Sequence, residues 1–152
     1  MSFKNILCFG TLNPDLIYFV DELPKKGDDI RSSNSSIRPG GTAVNCSELI
    51  SLWNKSVHVR GNSIGSDPLG NYLVDYLKEN NINFDGLIIN QSLTPTCSIF
   101  VDSSGERTIV SSGYEGLEWS NFENLNNFDS LIIDRYSICL LYTSPSPRDQ
   151  CL

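Results

Sequence analysis

The run "NILCFG" (residues 5–10) is apolar without alternation and stops at a glycine. A strand buried on both faces reads this way, because a strand with one wet face alternates apolar and polar residues. Such strands belong to parallel sheets layered with helices, so the segments that follow decide the fold class.

Those segments alternate between the two periodicities. "DLIYFVDELP" (15–24) is rich in β formers and stops at Pro24, and "GGTAVNCSELISLWN" (40–54) passes from glycines into apolar residues at helical spacing, Ala43, Val44, Leu49, Ile50, Leu52 and Trp53. "VHVRGN" (57–62) is a short strand, and "SDPLGNYLVDYLKENN" (66–81) is a helix with Asp67 as N-cap, Pro68 at its first position and an Asn-rich stop. "GLIIN" (86–90) reads as a strand, and "TPTCSIFVDSSGERTIVSS" (94–112) as two β runs joined by a turn at Asp102–Gly105. A weakly amphipathic "LEWSNFENLNNF" (117–128) precedes "DSLIID" (129–134), which reads as one more buried strand. The pattern predicts an α/β domain with a mainly parallel sheet flanked by helices, together with β pieces that do not belong to that sheet.

With 152 residues the chain has enough length for one ordinary domain and is short for two. Eleven basic residues against 18 acidic ones, a net charge of −7, argue against nucleic acid or an anionic membrane surface as the main partner and favour small-molecule chemistry. No apolar run is long enough for a membrane span, and "MSFKNILCFG" lacks a signal-peptide core, which places the expected protein in the cytoplasm. The five cysteines, Cys8, Cys46, Cys97, Cys139 and Cys151, form no CxxC pair and no metal-like spacing; their odd number suits a reducing compartment, and no structural metal is expected.

The chemistry concentrates in two places. In "GTLNPD" (10–15) a buried strand ends at Gly10 and delivers Asn13 and Asp15 at its carboxyl edge, where ligands bind in open α/β sheets. An Asp and an Asn two residues apart offer acceptors and donors for sugar hydroxyls, although Asn-Pro-Asp is also ordinary turn chemistry. In "RPGGTAVN" (38–45) two glycines let backbone N–H groups approach a ligand, the next helix offers its N-terminus, and Asn45 stands one turn inside. This is neither a GxGxxG nor a GK[ST] loop. His58, the sole histidine, has no Cys or carboxylate pattern around it; Cys8 and Cys46 lie on apolar segments, and Trp53 and Trp119 on helical stretches, all read as packing residues.

Taken in order, "FGTLNPDLIYFVDELPKKGD", "RPGGTAVN", "VRGNSIGSDPLGNYLVDYLKENNIN" and "TPTCSIFVDSSGERTIV" resemble the N-terminal half of the ribokinase-like (PfkB) carbohydrate kinases, over about residues 5–137. The resemblance implies a ribokinase-like fold, truncated, with a small β lid over the sugar formed by about 15–36 and 94–112. It implies ATP-dependent phosphorylation of a sugar hydroxyl, with ATP and Mg2+ as cofactors of the intact parent, and a homodimer through the lid. It puts Asn13 and Asp15 on sugar hydroxyls and Gly40, Gly41 and Asn45 in the sugar-holding loop, with Thr42 where ketohexokinases tend to have Asn. "SSGERTIV" is similar to the ketohexokinase and sulfofructose kinase branches, whose Arg at the position of Arg107 lies near the active site; "LIIDRYS" resembles a strand end that adds a polar contact from Asp134 or Arg135. The family's catalytic base is the Asp of a Gly-Ala-Gly-Asp motif, which this sequence lacks.

The tail, 139–152, is set apart. "CLLYTSPSPRD" (139–149) looks like the in-frame translation of a transposase adapter used in sequencing libraries, so residues 1–138 are expected to be the N-terminal part of a carbohydrate kinase domain and the remainder adapter-derived. An inactive fragment of a sugar kinase acting on a ketose is thus the expectation; a fragment of a nucleoside kinase, or a non-catalytic sugar-binding module, are the alternatives.

Overall fold

The protein is described from a computed structural model over residues 4–53 and 55–139. The adapter reading of the tail therefore lies outside the described residues from position 140 onward.

The parallel sheet forms as expected from three segments: β1 (Asn5–Gly10) in the centre, flanked by β4 (Ser56–Gly61) and β9 (Ser130–Ile133). Each pair is parallel, with Cys8 opposite Val59 on one side and Ile132 on the other. Leu7 and Cys8 are fully buried, and Phe9 is 1% exposed. Ile6 and Cys8 join a core with Ala43 and Val44 of helix α1 (Thr42–Ser51) and with Leu73 and Leu77 of helix α2 (Pro68–Glu79). Burying each of those leucines stabilises the fold by about 2 kcal/mol.

The opposite face of β1 is covered differently from the expected helix-flanked arrangement. Phe9 stacks on Phe122 at 4.1 Å and on Trp119 at 6.2 Å between ring centroids. The segment carrying those rings is irregular, with a single 3-10 turn at Leu125–Asn127, so Trp119 does not sit on a helix. Four asparagines and few good helix formers between 121 and 127 disfavour a helix there. "DSLIID" is likewise only half-buried, because β9 pairs with β1 on one side alone.

Helix α2 has the predicted start. Asp67 accepts a hydrogen bond from the Gly70 N–H at 2.8 Å, with Pro68 at the first turn. The same carboxylate accepts from the Thr94 N–H (2.8 Å) and hydroxyl (2.7 Å), tying the helix to the start of the 94–112 hairpin. Asn80 closes the helix by donating its side-chain N–H to the Tyr76 carbonyl, and Asn81 takes the left-handed conformation. "GLIIN" contributes only a two-residue strand, β6 (Ile89–Asn90), paired with β5 (Ile64–Gly65).

The β pieces without a place in the parallel sheet form a second sheet of their own. Its order is β3 (Asn34–Gly40), β2 (Asn13–Phe19), β7 (Thr96–Val101), β8 (Arg107–Ser112). The β3 strand runs to Gly40, so the first glycine of the predicted loop is a strand residue and only Gly41 turns into α1. Paired residues share a face: Asp15, Cys97 and Ser111 lie in one row, and Ile17, Ile99 and Ile109 in the next. No described helix is long and apolar enough to cross a membrane.

Candidate functional site

The two sheets meet at Thr11 and Leu12, and a buried asparagine fixes that crossing. Asn62, fully buried, accepts the Leu12 N–H at 2.7 Å and donates to the carbonyls of Leu12 (3.0 Å) and Ser63 (2.9 Å). Thr11 in turn caps α1 from outside the helix: its hydroxyl accepts the Thr42 N–H at 3.2 Å and its carbonyl the Ala43 N–H at 3.1 Å. This cap requires glycine at 41, where φ is +87° and a Cβ would stand 2.2 Å from the Thr11 carbonyl oxygen.

Beyond the crossing, Asn13 is 2% exposed and donates its side-chain N–H to Asp15 Oδ1 at 2.7 Å. Burial raises the Asp15 carboxyl above its ordinary range, and the Asn13 bond partly offsets this. Gly40, opposite on β3, makes room for the carboxyl: a Cβ there would lie 2.3–2.6 Å from its three terminal atoms. Asp15 Oδ2 has no hydrogen-bond partner among the described residues.

Between this group and the inner face of the second sheet lies a cleft of about 1010 Å3. Asn13, Asp15, Gly41, Thr42, Asn45 and Arg107 all line it, so six of the eight residues singled out in the sequence converge there. Gly40 lies beneath Asp15 instead of facing the cleft. Asp134 is also not on the wall. It is 7% exposed, and its two oxygens accept the N–H groups of Thr11 (3.0 Å) and Ser137 (2.7 Å), so it braces the strand end from below. Arg135 lies over the Tyr136 ring, 4.6 Å from its centroid. A further space of about 600 Å3 shares Asp15, Asn45 and Arg107 with the cleft and adds Arg38, Glu48 and Tyr76.

Cys97, Tyr114, Trp119 and Tyr136 are among the lining residues that were not read from the sequence as site residues. Cys97 carried a usable signal, since alternation along 96–101 puts it on the same face as Ile99 and Val101. The aromatic residues gave none, because irregular backbone carries them.

The arrangement suits a ligand with hydroxyl groups. Asp15 and the Asn13 and Asn45 amides supply acceptors and donors, and the aromatic rings offer an apolar wall. Among the described residues lining the cleft Arg107 is the one cation, and Asp15 and Glu115 oppose it, which is little positive charge to set against a nucleoside triphosphate. Among the described residues no group of three His, Cys, Asp or Glu side chains could hold a metal ion.

Residues 4–148 match the profile of the pfkB family carbohydrate kinases; the matched span reaches into the tail that the sequence reading set apart. Among curated proteins, the chain is 28% identical to ribokinase of Dictyostelium discoideum over 70% of this chain and 34% of that one. It is 30% identical to ketohexokinase of Mus musculus over 72% of this chain and 37% of that one. Among solved structures it is similar to Arabidopsis thaliana ribokinase complexed with ribose and ATP, with a TM-score of 0.75 and 19% identity over 92% of this chain and 48% of that one. The chain thus spans about a third of the length of the curated relatives and about half of the structural one.

Proposed function

This chain belongs to the pfkB family of carbohydrate kinases, and on that premise we propose that its cleft is the sugar-holding part of an ATP-dependent kinase acting on a sugar hydroxyl, with a ketose as substrate. The observation that carries the reading is the Asp15 carboxylate. One oxygen is held by Asn13, the other has no partner among the described residues, and the strand opposite has a glycine where any side chain would displace the carboxylate. In this reading Asp15 and Asn13 take sugar hydroxyls, Gly41, Thr42 and Asn45 form the wall around them, and Arg107 reaches the substrate from the lid sheet. Asp134 acts through Thr11 as a positioning residue.

The base that accepts the hydroxyl proton, and the groups that hold ATP and Mg2+, are assigned to parts of the parent enzyme outside these 152 residues. In support, the sequence contains no Gly-Ala-Gly-Asp and the cleft carries too little positive charge for a triphosphate. The chain alone is expected to give no ATP-dependent turnover on any sugar. The proposed compartment is the cytoplasm.

Trp119 lines the cleft, so its fluorescence provides the test. Titration with D-fructose should give a saturable change that Asp15→Asn weakens by at least about tenfold, corresponding to about 1.4 kcal/mol of lost contact. A flat titration contradicts the reading. A second reading, a nucleoside kinase, is favoured by the aromatic residues Tyr114, Trp119 and Tyr136 in the lining, which suit a base. Saturation by adenosine and not by fructose selects it.

A further inference from the structure

The cleft contains a donor beside the acceptor, which the sequence motifs do not account for. Tyr114 follows Gly113, whose φ of +78° turns the chain back from the end of β8 and leaves the tyrosine half-buried on the cleft wall. Its hydroxyl stands 3.5 Å from the Cys97 sulfur. Cys97 is the register partner of Asp15 on the neighbouring strand, so Tyr114 overlies the row that carries the proposed sugar carboxylate.

A thiol sulfur is a weak acceptor, so the phenolic proton remains available for a better one. Burial, the contact with Cys97 and the nearby Asp15 charge all push the Tyr114 hydroxyl far above its ordinary pKa, so it stays a neutral donor throughout the physiological range. Asp15 Oδ2, for its part, is an acceptor with no partner among the described residues. A hydroxyl group both donates and accepts, and so satisfies the two at once; a bare C–H satisfies neither.

We infer that Tyr114 is a specificity-determining residue: with Asp15 it forms a subsite that reads one substrate hydroxyl, accepted from by Asp15 and donated to by Tyr114. This rests on the sugar-site reading above. Its consequence is discrimination against the deoxy analogue at that one position, because that analogue leaves a half-buried donor and acceptor unpaired.

The test is the affinity of the wild-type chain and of Tyr114→Phe for D-fructose and its monodeoxy analogues, with thermal unfolding of both. Phenylalanine keeps the ring and removes the donor. The expected result is a loss of about threefold to tenfold for fructose, no further loss for one particular deoxy analogue, and an unchanged melting temperature. Equal affinities of the two chains for fructose, or one common loss across every analogue, overturn the proposal while leaving the sugar site standing. Absence of fructose binding by the wild-type chain overturns both.

Discussion

Replacing Gly40 with alanine puts a methyl carbon within 2.6 Å of the Asp15 carboxyl, whereas the same change at Gly41 meets the Thr11 backbone and a positive φ. The two substitutions should therefore fail differently. Gly40→Ala turns the carboxylate away and is expected to weaken fructose binding by at least about tenfold; Gly41→Ala is expected to lower stability by about 1–3 kcal/mol, read by urea unfolding. Asp15 also sets a pH dependence. Its raised carboxyl binds a proton more tightly in the folded chain than in the unfolded one, so its contribution is greatest below the ordinary carboxylate value and is lost as pH rises through the folded value. Asp15→Asn should thus be at least as stable as wild type at neutral pH, with the difference falling away on acidification; a variant whose deficit grows toward neutral pH contradicts this. Asn13 and Asp15 were legible because they follow closely on the end of β1, and Asn45 because it lies in the first turn of α1. Asn62 and Tyr114 were not, since the first acts through three hydrogen bonds to distant backbone and the second is carried into the cleft by irregular chain.

Helix α2 shows why local signals could be read at the level of elements. Its N-cap, its first-turn proline and its Asn stop are all contained within the segment, and each appears where the sequence put it. Hydrogen bonds from Thr94 and Gly70 outweigh the effect of burial and hold the Asp67 carboxyl below its ordinary range. That stabilisation is present above the ordinary carboxylate value and lost as pH falls through the depressed one. Asp67→Ala should cost about 1–2 kcal/mol at neutral pH, and the gap should narrow in acid; a gap that stays constant with pH would assign the loss to packing. The segment 117–128 shows the opposite case. Its aromatics are placed by contact with Phe9, a tertiary effect that overrides a weak helical periodicity. The edge position of β9 and the parallel pairing of β2 with β7 are also long-range properties, which no local pattern encodes.

For the whole molecule, the sequence order of motifs was enough to anticipate one parallel sheet and β pieces outside it, but not how the two sheets join. That junction depends on Asn62 and Thr11 holding a crossing of two residues. The second sheet leaves apolar side chains in water: Ile37 is 51% exposed and Val110 55%. Exposed apolar groups along a sheet favour self-association. Sedimentation should show a concentration-dependent dimer that Val110→Lys weakens; association unaffected by that change would point to the open edges of the β4–β1–β9 sheet. The most direct test of the central claim, that Asn13, Asp15 and Asn45 hold a sugar, is heteronuclear NMR of the chain titrated with D-fructose. The account predicts saturable shifts at the side-chain amides of Asn13 and Asn45 and at the Gly41 backbone N–H, absent in Asp15→Asn. Spectra unchanged by the sugar, or shifts confined to residues outside the cleft, would contradict it.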